Sequence, residues 1–285
     1  GSIVNLFNVL QAAQGSGLAL DGGDTLNVTL GLFGFLVPIA LAMSARSLPM
    51  YAGLDAFPRR VLWPLAGIYF AGLALLGVGT IDGLPWANVI NGLGMILLGG
   101  VVLLFVAIFL RLMRGRGRLP KHVARLAPKP VALAQTYQQQ VKKEQADYGP
   151  FVGLVASAYL WALLGSLLLL VDGIARLVTG TPPFATDAIR HSFAIGFIAL
   201  LICGIAPRML PSFSGGHIVS PRLVSATLWL GNIAAALRVG SVLLASVLPG
   251  AQDTFLLGLS GPCGLALAIN LWPTLHSSIL VGSKG

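Results

Sequence analysis

Charge is what this chain has least of. Only 9% of its 285 residues are Asp, Glu, Lys or Arg, where a water-soluble domain carries about 25%. With 56% hydrophobic residues and a mean hydropathy of +0.86, the composition suits lipid rather than water as solvent. Cysteine is nearly missing as well: Cys203 and Cys263 both fall inside apolar runs and read as small buried hydrophobes, not as a disulfide. Histidine occurs only at 122, 191, 217 and 276. No phosphate-binding loop, Cys-x-x-Cys, His-Glu-x-x-His or serine-nucleophile motif appears, so the enzymes those motifs signal find no support.

Long apolar runs are what the chain does have. A membrane-crossing helix needs about 20 such residues, and seven runs qualify, at 26–45, 60–79, 88–112, 150–173, 186–208, 222–248 and 254–281. A shorter run at 3–13 reads as a half-span or an interfacial helix. Helices are the expected form, because an open strand in lipid leaves backbone groups unpaired. The expectation is an all-α integral membrane protein with seven transmembrane helices plus a short N-terminal segment.

The few charges are not scattered. If the seven runs alternate direction, segments 46–60, 111–149, 208–222 and 282–285 share one side, and that side holds 15 of the 18 Lys and Arg residues. The opposite side holds Arg176 and Arg190 with six of the nine acids. This asymmetry predicts that the basic side, including the linker 113–149 and the C-terminus, is cytoplasmic. The net charge of +9 therefore belongs to loops facing anionic lipid headgroups, not to a nucleic-acid surface. The linker is also a candidate docking segment for subunits of a membrane complex, with a short surface helix expected over 131–146.

The chain also repeats itself. Arg46, Leu48, Pro49, an aromatic at 51 and Gly53 reappear 162 positions later as Arg208, Leu210, Pro211, Phe213 and Gly215. Four runs separate the copies, so both point the same way. The expected organisation is a parallel internal duplication: a first repeat at 1–112, the basic linker at 113–149 and a second repeat at 150–285. Gly1-Ser2 then aligns with Gly165-Ser166, inside a helix, which implies residues upstream. The repeated turn itself reads as scaffold: Arg suits a helix C-terminus, Pro opposes helix continuation and Gly permits an unusual turn.

Function is expected where the copies differ. His191 stands where the first copy has Thr29, and Arg238 stands near the level of Leu75. An imidazole among apolar residues is either a hydrogen-bonded contact between helices or a metal ligand. A guanidinium within a span costs at least ~2.5 kcal/mol to insert, so Arg238 either snorkels towards the outer headgroups or has an internal partner, with Asp187 or a bound anion as candidates. At about 1.5 Å rise per residue, His191 and Arg238 lie at similar depth, as do Tyr69 and Cys263. Gly261-Pro262-Cys263-Gly264 reads as a helix break. His276, near the other end of its span, is placed to approach His217 as a second candidate metal pair. Asn91, Asn232 and Asn270 are candidates for polar contacts between helices, each worth about 0.6 kcal/mol.

The order Arg190-His191-Ser192, Gly204, Pro207-Arg208-Met209-Leu210-Pro211, Gly215, Pro221-Arg222 and Gly231-Asn232 through Arg238 resembles the NnrS family. These are polytopic bacterial membrane proteins linked to nitric oxide metabolism and carrying haem and copper. The resemblance covers residues 187–240, with an echo at 32–60. It implies a haem b with His191 as axial ligand and Arg238 or Arg208 on its anionic groups, possible copper at His191, His217 or His276, and a role in nitric oxide or respiratory redox chemistry. Two alternatives remain open: a small-anion transporter or channel that uses Arg238, and a structural subunit of a larger membrane complex.

Overall fold

The computed structural model describes residues 21–52, 54–81, 84–115, 130–214, 220–248 and 251–280. The short N-terminal run, residues 116–129 of the basic linker with His122, and His217, Gly53 and Gly215 lie outside them. Every regular element among the described residues is helical: α1 (Asp21–Thr29), π1 (Leu30–Leu36), α2 (Val37–Arg46), α3 (Leu48–Ala52), α4 (Arg59–Val78), α5 (Ala87–Arg114), α6 (Pro130–Tyr148), α7 (Phe151–Thr179), α8 (Asp187–His191), π2 (Ser192–Ala199), α9 (Leu200–Ser214), α10 (Pro221–Val247) and α11 (Ala251–Leu280).

Seven helical stretches are long and apolar enough to cross a bilayer: Gly23–Arg46, Arg59–Val78, Ala87–Arg114, Phe151–Thr179, Asp187–Pro211, Pro221–Val247 and Thr254–His276. They match the seven runs in the sequence. The protein is an all-α, multi-pass membrane protein.

Antiparallel α5 and α7 form the centre. Small residues let their backbones approach: a Cβ on Gly92 would sit 2.8 Å from the Gly173 carbonyl oxygen, and one on Gly173 would sit 2.7 Å from that of Gly92. Lipid offers no hydrophobic drive to bring helices together, so such close packing supplies the attraction. At the far end of the pair, Phe109 stacks on Tyr159 with centroids 3.8 Å apart. Around this centre α4 packs on α5, and α10 packs on α11.

These contacts define two ends of the bundle. One, the basic end, carries Arg46, Arg59, Arg114, Arg208 and Arg222. The other, the acidic end, carries Arg176, Asp172 and Asp187, and there Asn88 Nδ2 donates to the Gly180 carbonyl at 2.9 Å. Gly180 closes α7 with φ +75°, the left-handed backbone that glycine adopts without penalty.

The π-helical stretches interrupt the first and fifth spans and begin 162 positions apart, the displacement that separates Arg46 from Arg208. They meet in the core, Phe33 against Phe193 edge to face at 5.2 Å. In π1 the Val37 N–H bonds the Leu32 carbonyl, five residues back, and the Phe33 carbonyl accepts the Tyr69 hydroxyl at 2.6 Å. A π segment misaligns the regular bonding ladder, and a side chain from α4 thereby finds a backbone acceptor.

Three local expectations need correction. The Gly261–Gly264 stretch is not a break: α11 is continuous from Ala251 to Leu280 with Pro262 inside it. Proline removes one hydrogen bond, which a transmembrane helix tolerates, and the flanking glycines carry no side chain to crowd its ring. The repeated turn is not the same in both copies. Arg46 ends α2 as expected, whereas α9 runs through Arg208 and Pro211 to Ser214. There Arg208 Nη2 donates to Glu144 Oε1 at 3.0 Å and the guanidinium lies 4.7 Å from the Tyr148 ring centroid, so α6 clamps the extra turn. The linker helix itself is as expected but longer, Pro130–Tyr148.

Candidate functional site

The fifth span opens with α8, whose Ala188 and Ile189 are fully buried. That anchoring places Asp187, Arg190 and His191 on its less buried side. His191 Nδ1 lies 2.7 Å from the Asp187 carbonyl oxygen. A carbonyl only accepts, so Nδ1 carries the proton and Nε2 of the neutral ring holds a lone pair. Arg238 Nε donates to that lone pair at 3.0 Å. The two residues singled out in the second repeat are therefore direct partners, 47 positions apart in sequence.

Arg238 lies nine residues before Val247, the end of α10, about 14 Å along the helix axis. It forms no ion pair among the described residues, and its two η nitrogens have no protein acceptor among them. Asp187, its expected carboxylate partner, instead faces Arg190 at 3.5 Å across one turn. Arg238 and Asp187 both line a cleft of ≈ 370 Å³ with Ser241, Val242, Ala245, Ser246 and Leu257. Ser241 and Ser246 spend their hydroxyl protons on the Arg238 and Leu243 carbonyls. Arg238 is thus the cleft's charged donor, while the balanced Asp187–Arg190 pair sits beside it.

The other candidates lie elsewhere. Arg208 is at the basic end, committed to Glu144 and Tyr148. His276 is exposed near that same end and stacks on Trp272, centroids 5.5 Å apart. Its candidate partner His217 lies outside the described residues. Tyr69 lines a different groove, and Cys263 is a half-buried residue of α11 that does not line the cleft. Of the four residues expected at similar depth, His191 and Arg238 are the pair brought into contact, because similar depth says nothing about which way a helix is turned.

A haem or copper centre makes a specific demand on this geometry. The hydrogen bond from Nδ1 to a backbone carbonyl is the support a metal-bound imidazole commonly has. The coordinating nitrogen, however, is the acceptor of the Arg238 bond. Among the described residues no three His, Cys, Asp or Glu side chains converge as a ligand set. As the side chains stand, Nε2 of His191 is not free to coordinate a metal.

One ion pair escaped the sequence reading, and the polar contact expected at Asn232 takes a definite form. Asp172 is completely buried in α7, and Arg176 Nε meets its Oδ1 at 3.0 Å; the i, i+4 spacing was the available signal. Trp161 Nε1 donates to Asn232 Oδ1 at 2.9 Å, and Asn232 Nδ2 donates to Ser157 Oγ at 3.2 Å. This joins α7 to α10 one and a half turns below Arg238 and fixes the face that α10 presents. Asn91 and Asn270 likewise bond across elements, to the Gly79 carbonyl and to Thr227 Oγ1. No family model matches this chain, and no curated protein or solved structure does so either.

Proposed function

We propose that this multi-pass membrane protein binds a small anion, or the anionic group of a larger ligand, at Arg238 in the cleft of the acidic end. One observation carries the reading: a guanidinium inside a span, costing ~2.5 kcal/mol or more to place there, has its Nε held by His191 and both η nitrogens without an acceptor among the described residues. A second charge is the expected compensation for such a group. His191 acts as a neutral acceptor that orients the guanidinium without cancelling its charge. The cleft, at ≈ 370 Å³, lies at the small end of the ~300–1,000 Å³ range for ligand sites.

This reading places the protein with anion-binding transporters or channels. The resemblance to NnrS proteins supports a second reading, a haem at His191 with Arg238 on a propionate, which requires Nε2 to be released from Arg238. An absorption spectrum of purified protein and anion uptake into proteoliposomes separate the two. Anion binding predicts no Soret band and an uptake that Arg238→Gln abolishes. A Soret band lost in His191→Ala overturns it in favour of haem.

A further inference from the structure

A second cavity, independent of the Arg238 cleft, opens between the first and second spans toward the basic end. It measures ≈ 760 Å³ and its walls include Leu41, Leu62, Trp63, Phe70 and Phe105. Tyr69 also lines it, but its hydroxyl is spent on the Phe33 carbonyl, so that wall offers an apolar ring. At the mouth stand two guanidinium groups, Arg46 from the last turn of α2 and Arg59 from the first residue of α4. Both are exposed. Neither forms an ion pair among the described residues.

The contrast with the second repeat is informative. Arg208, the equivalent of Arg46, is neutralised by Glu144 from α6. The first half leaves the corresponding charge open and adds a second one beside an apolar groove. A basic end at headgroup level, continuous with an apolar channel at acyl-chain level, is complementary to one kind of molecule. Basic pockets between transmembrane helices select anionic headgroups.

We propose that this groove binds an anionic phospholipid, its phosphate held between Arg46 and Arg59 and one acyl chain lying along Leu41, Leu62 and Phe70. Trp63 is 84% exposed on the groove wall and reports directly on the occupant. The protein is reconstituted into phosphatidylcholine vesicles containing an equal fraction of either acyl-brominated phosphatidylglycerol or acyl-brominated phosphatidylcholine, and tryptophan quenching is measured. Expected is stronger quenching by the brominated phosphatidylglycerol, an enrichment on the order of fivefold for each guanidinium. The excess disappears in Arg46→Gln/Arg59→Gln, persists in Arg60→Gln, whose side chain does not line the groove, and disappears in Trp63→Phe with both arginines intact. Equal quenching by the two lipids overturns the proposal. So does a preference that survives Arg46→Gln/Arg59→Gln, which is general surface attraction, and so does a preference erased by inorganic phosphate, which makes the site one for the free anion. The Trp63→Phe arm keeps the test decisive should the arginine variant fail to fold.

Discussion

At the scale of single residues, the bond between His191 and Arg238 makes a sharp prediction because its two ends do different work. His191→Gln keeps an acceptor within reach of the guanidinium, whereas His191→Phe leaves Nε with none. A hydrogen bond to a charged group contributes about 1.5–3 kcal/mol, so His191→Phe is expected to weaken anion binding by about 10- to 100-fold, with His191→Gln falling well short of that loss. Titration of the purified protein with candidate small anions reads the difference, and equal losses in both variants remove the orienting role. The ion pair in α7 makes the second prediction. Asp172 has a side chain of 0% exposure against 13% for Arg176, so Arg176→Ala strands a buried carboxylate and costs about 3–5 kcal/mol in thermal unfolding. Replacing both residues with leucine is expected to recover most of that loss, since a buried pair and a well-packed apolar pair differ little. Of these four residues the sequence marked His191 and Arg238 through their absence from the first repeat. It hid the Asp172 pair, because both charges stand near a span end where a loop assignment is just as natural.

At the scale of elements, the helices were legible and their faces were not. Seven apolar runs located seven spans to within a few residues, since hydrophobic length is a one-dimensional property. Which glycine meets which helix is two-dimensional, and the 36 glycines look alike until neighbours are known. Gly92 and Gly173 lie where α5 and α7 touch, while nothing stands within 4 Å of a Cβ placed on Gly100 of the same helix. Gly92→Ala is therefore expected to force α5 from α7 and destabilise the protein by about 1–3 kcal/mol. Gly100→Ala is expected to be neutral or to stabilise by about 0.5–1 kcal/mol through helix propensity alone. Melting of the two variants in the same detergent checks this, and similar shifts would contradict the close approach of the two backbones. The break assigned at Gly261–Gly264 fails for the same reason: glycine and proline punctuate soluble helices, but a span kept whole by its lipid environment carries them through. The π segments left no sequence signal of their own, and only their shared displacement ties them to the repeat.

At the scale of the whole molecule, the bundle has two chemically distinct ends, and the distribution of its charges predicts how it sits in a membrane. Arginines cluster where α2 and α5 end and where α4 and α10 begin; Asp172 and Asp187 lie at the opposite end, with Arg176 and Arg190 each paired to one of them. Positively charged loops are retained on the cytoplasmic side, so the Arg238 cleft is expected to open outward and the Arg46–Arg59 groove to meet the inner leaflet. Two exposed positions test this, Thr181 beyond the end of α7 and Gln139 on α6. The natural cysteines do not interfere, because Cys203 is buried and both it and Cys263 lie within spans. In intact spheroplasts of a bacterial host, Thr181→Cys is expected to react with a membrane-impermeant maleimide, and Gln139→Cys only after permeabilisation. The reverse pattern would turn the molecule over, exchanging the compartments that the cleft and the groove face while leaving their chemistry unchanged. Labelling of both positions from outside would be more damaging. An odd number of crossings separates nothing if two ends joined by a single span, α7, lie on the same side, and the seven-span reading of the charge pattern would then fail with it.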